Sequence, residues 1–156
     1  MKISLVQIGK TQEPYLKEGI NEYQKRLIKY TGFREITIPD LKNAKNLSTQ
    51  EIKTREAQLI MKNCKNDDFI ILLDERGLMM SSLEFAGYLT KKFNAGRDIV
   101  MIIGGAYGFS KEIYERADDM ISLSKMTFSH QLVRLILAEQ LYRAMTIMRG
   151  DPYHHE

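Results

Sequence analysis

The chain has one cysteine, three prolines and three histidines in 156 residues, and each scarcity excludes something. Cys64 has no second thiol to pair with, so no internal disulfide is possible, and a reducing cytoplasm is the expected compartment. One cysteine with three histidines, two of them adjacent at His154 and His155, gives no Cys/His cluster at zinc spacing, so no metal site is expected. Prolines so few, with no low-complexity tract, argue against disorder beyond the ends. The apolar run in the opening MKISLVQIGKTQEP is too short for a signal peptide or a membrane span, so neither export nor a membrane partner is expected.

The chain is 44% hydrophobic and 28% charged. That is an ordinary globular composition, and a chain of this length, read as one domain over residues 1–156, can bury roughly two thirds of its unfolded surface. The net charge of +3 is unevenly spread. Residues 1–66 hold 13 Lys/Arg against 7 Asp/Glu, and residues 67–156 hold 10 against 13. A basic first half is either an electrostatic footprint for nucleic acid or a solvated charged surface.

Apolar runs alternate with helix-period segments. KISLVQI (2–8) and FREITI (33–38) read as strands around a helix over 14–30, which carries Leu16, Ile20, Tyr23, Leu27 and Tyr30 on one face. The Lys/Asn-rich stretch 42–47 is a polar loop. STQE (48–51) reads as a capping box opening a helix to about Cys64, with Ala57, Ile60, Met61 and Cys64 on one face. DFIILLD (68–74) is a strand covered on both faces and ends before ERGLM. SSLE, with Ser81 and Glu84, caps a helix carrying Leu83, Ala86, Leu89 and Phe93. RDIVMII (97–103), a helix over 110–117, a short strand (119–124) and a helix from Ser129 to Met148 complete the pattern. The alternation predicts an α/β fold, a mostly parallel sheet with helices on both faces.

In such sheets ligands bind beyond the carboxyl ends of the strands, here LLDERG, IGGAYG and LSKMTFSH. Gly104, Gly105 and Gly108 serve either ligand approach or tight packing. The glycine loop matches neither a dinucleotide fingerprint nor a P-loop. His130, outside the tail and at the start of the last helix, suits a general base, a polar anchor or a bond to nearby backbone. Lys125 and Thr127 stand beside it. Glu139 precedes Arg143 by four residues, a structural ion pair, which leaves Arg134 as the candidate for an anion.

The last helix carries Leu132, Val133, Leu135, Ile136, Leu137 and Ala138 in near succession. A helix apolar on most sides must be covered, either as a central element of its own chain or, as we read it, at a homodimer interface. The tail MRGDPYHHE offers Arg149, Tyr153, His154 and His155, groups that can stack on a base and contact phosphate if the tail is ordered.

IGGAYG, LSKMTFSHQLVRLILAEQLYRA and MRGDPYHHE resemble the ribosomal RNA large subunit methyltransferase H group of the SPOUT class, and the resemblance runs the full length of the chain. It implies a C-terminal trefoil knot and use of S-adenosyl-L-methionine to methylate ring nitrogen N3 of a pseudouridine in 23S RNA on the assembled ribosome. It also implies cofactor contacts at Leu73, Gly104, Gly105, Leu123, Ser124, Lys125, Met126, Thr127 and Phe128. Proton removal falls to His130 or a tail histidine such as His154, with Tyr153 and Arg134 stabilising the anion. The group usually has proline before the motif histidine. This chain has Ser129, which can cap the helix instead.

Overall fold

The computed structural model describes residues 1–155. In chain order the elements are β1 (Lys2–Ile8), α1 (Pro14–Leu27), β2 (Gly32–Ile38), α2 (Thr49–Met61), β3 (Phe69–Met79), α3 (Ser82–Asn94), β4 (Ile99–Ile103), α4 (Lys111–Arg116), β5 (Asp119–Ser122) and α5 (Leu132–Arg149). The five strands form one sheet in the order β2-β1-β4-β3-β5, and every pairing is parallel.

The two-residue period of the central strand divides the core. On β4, Ile99, Met101 and Ile103 join Leu27 of α1, Phe85 and Leu89 of α3, and Leu137 and Leu141 of α5. Val100 and Ile102 point the other way, to Ala57 and Ile60 of α2 and Ile113 of α4. All five β4 residues are buried, as a strand covered on both faces requires. The α/β expectation with helices on both faces is met. Among the described residues no helix is long and apolar enough to cross a membrane.

Four local expectations are corrected. The helix α1 stops at Leu27, and residues 28–31 turn the chain toward β2 through bonds from the Tyr30 and Thr31 amides to the Leu27 carbonyl. Only half of the first capping box forms: Ser48 Oγ accepts the Glu51 amide at 3.1 Å, with no return bond from Glu51. The second box is complete, with Ser81 and Glu84 exchanging bonds of 3.1 and 2.6 Å. Leu83 is exposed, and Phe85 takes the place on the buried face expected of it.

The fourth correction concerns β3, which continues through ERGLM to Met79. Leu73 and Leu78 both pair with Ile121, so residues 74–77 bulge out of the ladder. The bulge needs a glycine. A Cβ on Gly77 would lie 2.4 Å from the Ile121 carbonyl carbon, closer than non-bonded atoms approach.

The helix α5 packs between α1 and α3. Leu137, Ala138, Leu141, Ala144 and Met145 are buried within the one chain, so its own domain covers one side of the helix. Leu132, Val133, Leu135 and Ile136 remain half-buried. The helix begins at Leu132, three residues later than the sequence suggested, but Ser129 still caps its entry. Its Oγ accepts the Leu132 amide at 3.0 Å and its carbonyl accepts the Val133 amide at 3.0 Å. At the other end Gly150 is left-handed (φ 75°), which lets the Asp151 amide reach the Thr146 carbonyl at 2.9 Å.

Candidate active site

Beyond the carboxyl ends of the strands the chain forms two clefts that share His130. The first, about 170 Å³, lies between β3 and the loop that joins β5 to α5. Leu73, Leu123, Ser124, Lys125, Met126, Thr127 and Phe128 all line it, with Asp74, Glu75 and Val133. Local hydroxyls shape the loop: Ser122 Oγ donates to the Ser124 carbonyl (2.8 Å), and Ser124 Oγ accepts the Met126 amide (2.9 Å). Met126 is left 77% exposed at the mouth. Burial alone would raise the Asp74 carboxyl, but bonds from Tyr114 and from the Arg76 amide and guanidinium outweigh it and hold Asp74 below the usual carboxylate range. Asp74 is thus held as a carboxylate, countered by Arg76 at 3.3 Å, and Lys125 lines the same cleft.

The second cleft, about 550 Å³, is framed by Gly9 and Lys10 after β1, the 40–45 segment, Glu56 of α2, residues 105–107, and His130 with Gln131. The glycine loop is a tight turn closed by the Gly108 amide on the Gly105 carbonyl (3.1 Å), and of its three glycines only Gly108 is left-handed (φ 79°). Gly105 faces this second cleft. Gly104 lines neither, and its missing side chain makes room for the Phe109 ring, 3.0 Å from where a Cβ would sit. Of the cofactor contacts implied by resemblance, the structure thus gathers Leu73 and residues 123–128 in one cleft, sets Gly105 in its neighbour and gives Gly104 a packing role.

The expectation that Arg134 contacts an anion is corrected. Its side chain is only 1% exposed, because its donors are taken up inside the protein. Nη2 donates to the Ile8 carbonyl (2.6 Å), Nη1 to the Gly9 carbonyl (2.9 Å) and Thr11 Oγ1 (3.1 Å), and Nε to the His130 carbonyl (3.1 Å). Burial lowers the guanidinium from its ordinary value, while Glu35 and Asp40 oppose the shift. Gln131 adds a second tie, accepting the Gln12 amide (3.0 Å) and donating to the Lys10 carbonyl (3.2 Å). Together they clamp the start of α5 to the end of β1 and fix the His130 backbone between the clefts.

The tail is ordered against the middle of α5. The Tyr153 ring meets Tyr142 edge-on at 4.6 Å, its hydroxyl donates to Glu139 Oε1 (3.2 Å), and Arg143 sits 4.7 Å above the ring. Burial first, then the Tyr23 hydroxyl and Glu139, push the Tyr153 phenol well above its usual value, so it stays protonated. Arg143 and Glu139 form the expected pair at 2.6 Å. Arg143 Nη1 also donates to His154 Nδ1 at 3.2 Å. A guanidinium can only donate, so Nδ1 is the acceptor and the proton of the neutral ring is on Nε2. Glu139 and Arg143 lie nine and thirteen residues beyond His130, about 14 to 20 Å along the helix axis. Within one chain, Tyr153 and His154 are not brought to His130.

Several residues of this region escaped the sequence reading. Lys10 follows the carboxyl end of β1, where the strand-end rule places ligand groups as it does after the later strands. Glu56 stands four residues before Ile60 and adjoins Ala57, so helical spacing placed it beside the buried face. Tyr142 and Tyr23 carry no local signal of the tail that covers them. Among the described residues no three His, Cys, Asp or Glu side chains are grouped to hold a metal ion.

The family model described as "Predicted SPOUT methyltransferase" matches residues 1–154. Ribosomal RNA large subunit methyltransferase H of Parabacteroides distasonis is 51% identical over the whole of both chains. The protein of the same name from Christiangramia forsetii is 51% identical over 99% of each, and that of Cytophaga hutchinsonii is 50% identical over 99% of this chain and all of its own. Two solved structures share the fold at low identity. A probable methyltransferase from Bordetella pertussis Tohama I aligns with a TM-score of 0.57 and 8% identity over 92% of this chain and 93% of that one. A probable methylase family protein from Haemophilus influenzae Rd KW20 gives 0.52 and 12% over 99% and 70%. The parallel sheet with its loop-lined cleft and the full-length likeness agree: this chain belongs to the SPOUT methyltransferase family.

Proposed function

We propose that the protein is an S-adenosyl-L-methionine-dependent methyltransferase of 23S ribosomal RNA, acting in the cytoplasm on N3 of a pseudouridine in the assembled ribosome. The observation that carries this reading is the convergence of Leu73 and residues 123–128 on one cleft with His130 at its edge. The residues there fit the cofactor. Leu73, Leu123, Phe128 and Val133 offer apolar surface to a purine, loop main chain offers hydrogen bonds to its edges, and Glu75, with Asp74 beside it, offers a carboxylate to a cationic ligand. The knotted chain path implied by resemblance belongs to the same reading.

When bound, the cofactor supplies an activated methyl group. The protein then has to align the base and receive a proton from its imide nitrogen. His130 is exposed at the junction of the two clefts, where an incoming base meets it, and Arg134 acts through it as a positioning residue. Tyr153 and His154 reach the reacting base from the partner of a homodimer packed along α5, since their own chain holds them far from its own His130. The half-buried Leu132, Leu135 and Ile136 suit that interface. At about 170 Å³ the first cleft is smaller than the roughly 300 to 1,000 Å³ typical of ligand sites, consistent with a partner surface completing it.

The test is methyl transfer from labelled cofactor to ribosomes lacking the modification. Label should enter the large-subunit RNA, and His130→Ala should slow transfer about 100-fold or more while calorimetry shows cofactor affinity kept. Ribosome binding without any transfer by the intact protein would instead make it a non-catalytic ribosome-binding module.

A further inference from the structure

Glu56 is nine-tenths buried, at 9% exposed, yet among the described residues it takes part in no hydrogen bond or ion pair. Its carboxylate lines the second cleft. Both carboxylate oxygens lie 2.9 Å from where a Cβ of Gly105 would be, so the glycine loop is glycine at this point partly to admit that group. Desolvation, and then the charge of Asp40, raise its pKa from the ordinary glutamate value. The carboxylate oxygens reach solvent only through the cleft, the one fully buried polar side-chain atom without a partner among the described residues being Gln7 Oε1, so a ligand that fills the cleft must supply Glu56 with a donor. Around the same cleft stand the exposed Lys10 and Lys45, suited to phosphate, and Tyr107, 53% exposed and able to stack on a base.

We propose that the second cleft receives the target base and that Glu56 selects pseudouridine over uridine by accepting the N1–H that only pseudouridine has. This rests on the methyltransferase reading above. With N3 as the reacting nitrogen, N1–H is the remaining ring donor of pseudouridine, and uridine has a carbon at that place. The clefts meet at His130, so a base held by Glu56 in the second presents another edge toward the first. A site built around such a bond rejects the analogue that lacks the donor, because the acceptor, shut off from water once a base fills the cleft, is then left unpaired.

The experiment compares kcat/KM on two ribosome preparations, one with pseudouridine and one with uridine at the target position. The intact protein should prefer pseudouridine by about tenfold or more. Glu56→Met should lower kcat/KM on the pseudouridine ribosome and bring the preference to within about threefold, with cofactor affinity by calorimetry unchanged. Glu56→Gln, which keeps an acceptor oxygen, should retain a preference. Removing an unpaired carboxylate strands no partner, so both variants are expected to fold, which thermal unfolding checks. A preference as large in Glu56→Met as in the intact protein, or no preference in the intact protein, overturns the assignment to Glu56. Absence of transfer to either ribosome by the intact protein overturns the methyltransferase reading itself.

Discussion

Arg134 shows what a single residue in a sequence can and cannot reveal. A guanidinium inside an apolar helix announces that it has partners, and its neighbour Arg143 had a visible one four residues away. Most partners of Arg134 are main-chain oxygens, those of Ile8 and Gly9 more than 120 residues distant, and backbone groups leave no mark in a side-chain pattern. The candidate anion contact is therefore a clamp across the site. Arg134→Met keeps much of the packing volume but leaves the Ile8 and Gly9 carbonyls without donors. It should lower the free energy of unfolding by about 3 kcal/mol, read from the urea midpoint. A loss below about 0.5 kcal/mol would show that water replaces the guanidinium without penalty, and the clamp reading would fall. Glu56 was partly legible, since helical spacing put an acid beside a buried stripe. What it faces came only from the fold, because Gly105 lies some 50 residues away in the chain.

At the scale of elements, strand and helix order was readable because both periodicities are strong: the all-apolar β4 and the Ser81/Glu84 box stand almost as drawn. The error in β3 has a definite cause. Asp74, Glu75, Arg76 and Gly77 look like turn chemistry, and they do leave the ladder, but the strand resumes with Leu78 and Met79 on the same partner. A bulge and a turn share the same residue types, and only the partner strand distinguishes them. Gly77 is the point where this matters, since β5 runs directly beneath it. Gly77→Ala must move main chain rather than a side-chain tip, so we expect a loss of about 1 to 3 kcal/mol. The bulge flanks the first cleft and β5 leads into its loop, so cofactor affinity should fall with it. Calorimetry beside chemical unfolding checks both. An alanine variant of unchanged stability and affinity would mean that β3 and β5 do not cross as closely as described.

At the scale of the whole molecule, the gathering of Leu73 and residues 123–128 in one cleft was legible in the sequence. Strand ends are where open sheets bind ligands, and the 123–128 loop is contiguous in the chain. The sequence did not place the tail. Tyr153 and His154 follow α5 immediately, yet a rigid helix of eighteen residues carries them away from its own first turn. Their docking on Glu139, Arg143 and Tyr142 holds them there. On the proposed function, a tail fixed at that distance serves a site on another chain, and dimerisation is then part of the chemistry. The arrangement has a consequence that one subunit alone could not produce. His130→Ala and a variant lacking residues 150–156 should each be nearly inactive. Mixed and allowed to exchange subunits, they should regain activity. Random pairing makes half of the dimers mixed, and each mixed dimer has one site with both an intact His130 and an intact partner tail, so about a quarter of the wild-type activity should return. Recovery should track the mixed dimer measured by native mass spectrometry. If mixed dimers form and activity stays at the level of the separate variants, the tail works on its own chain, and α5 must then unlatch it during each cycle.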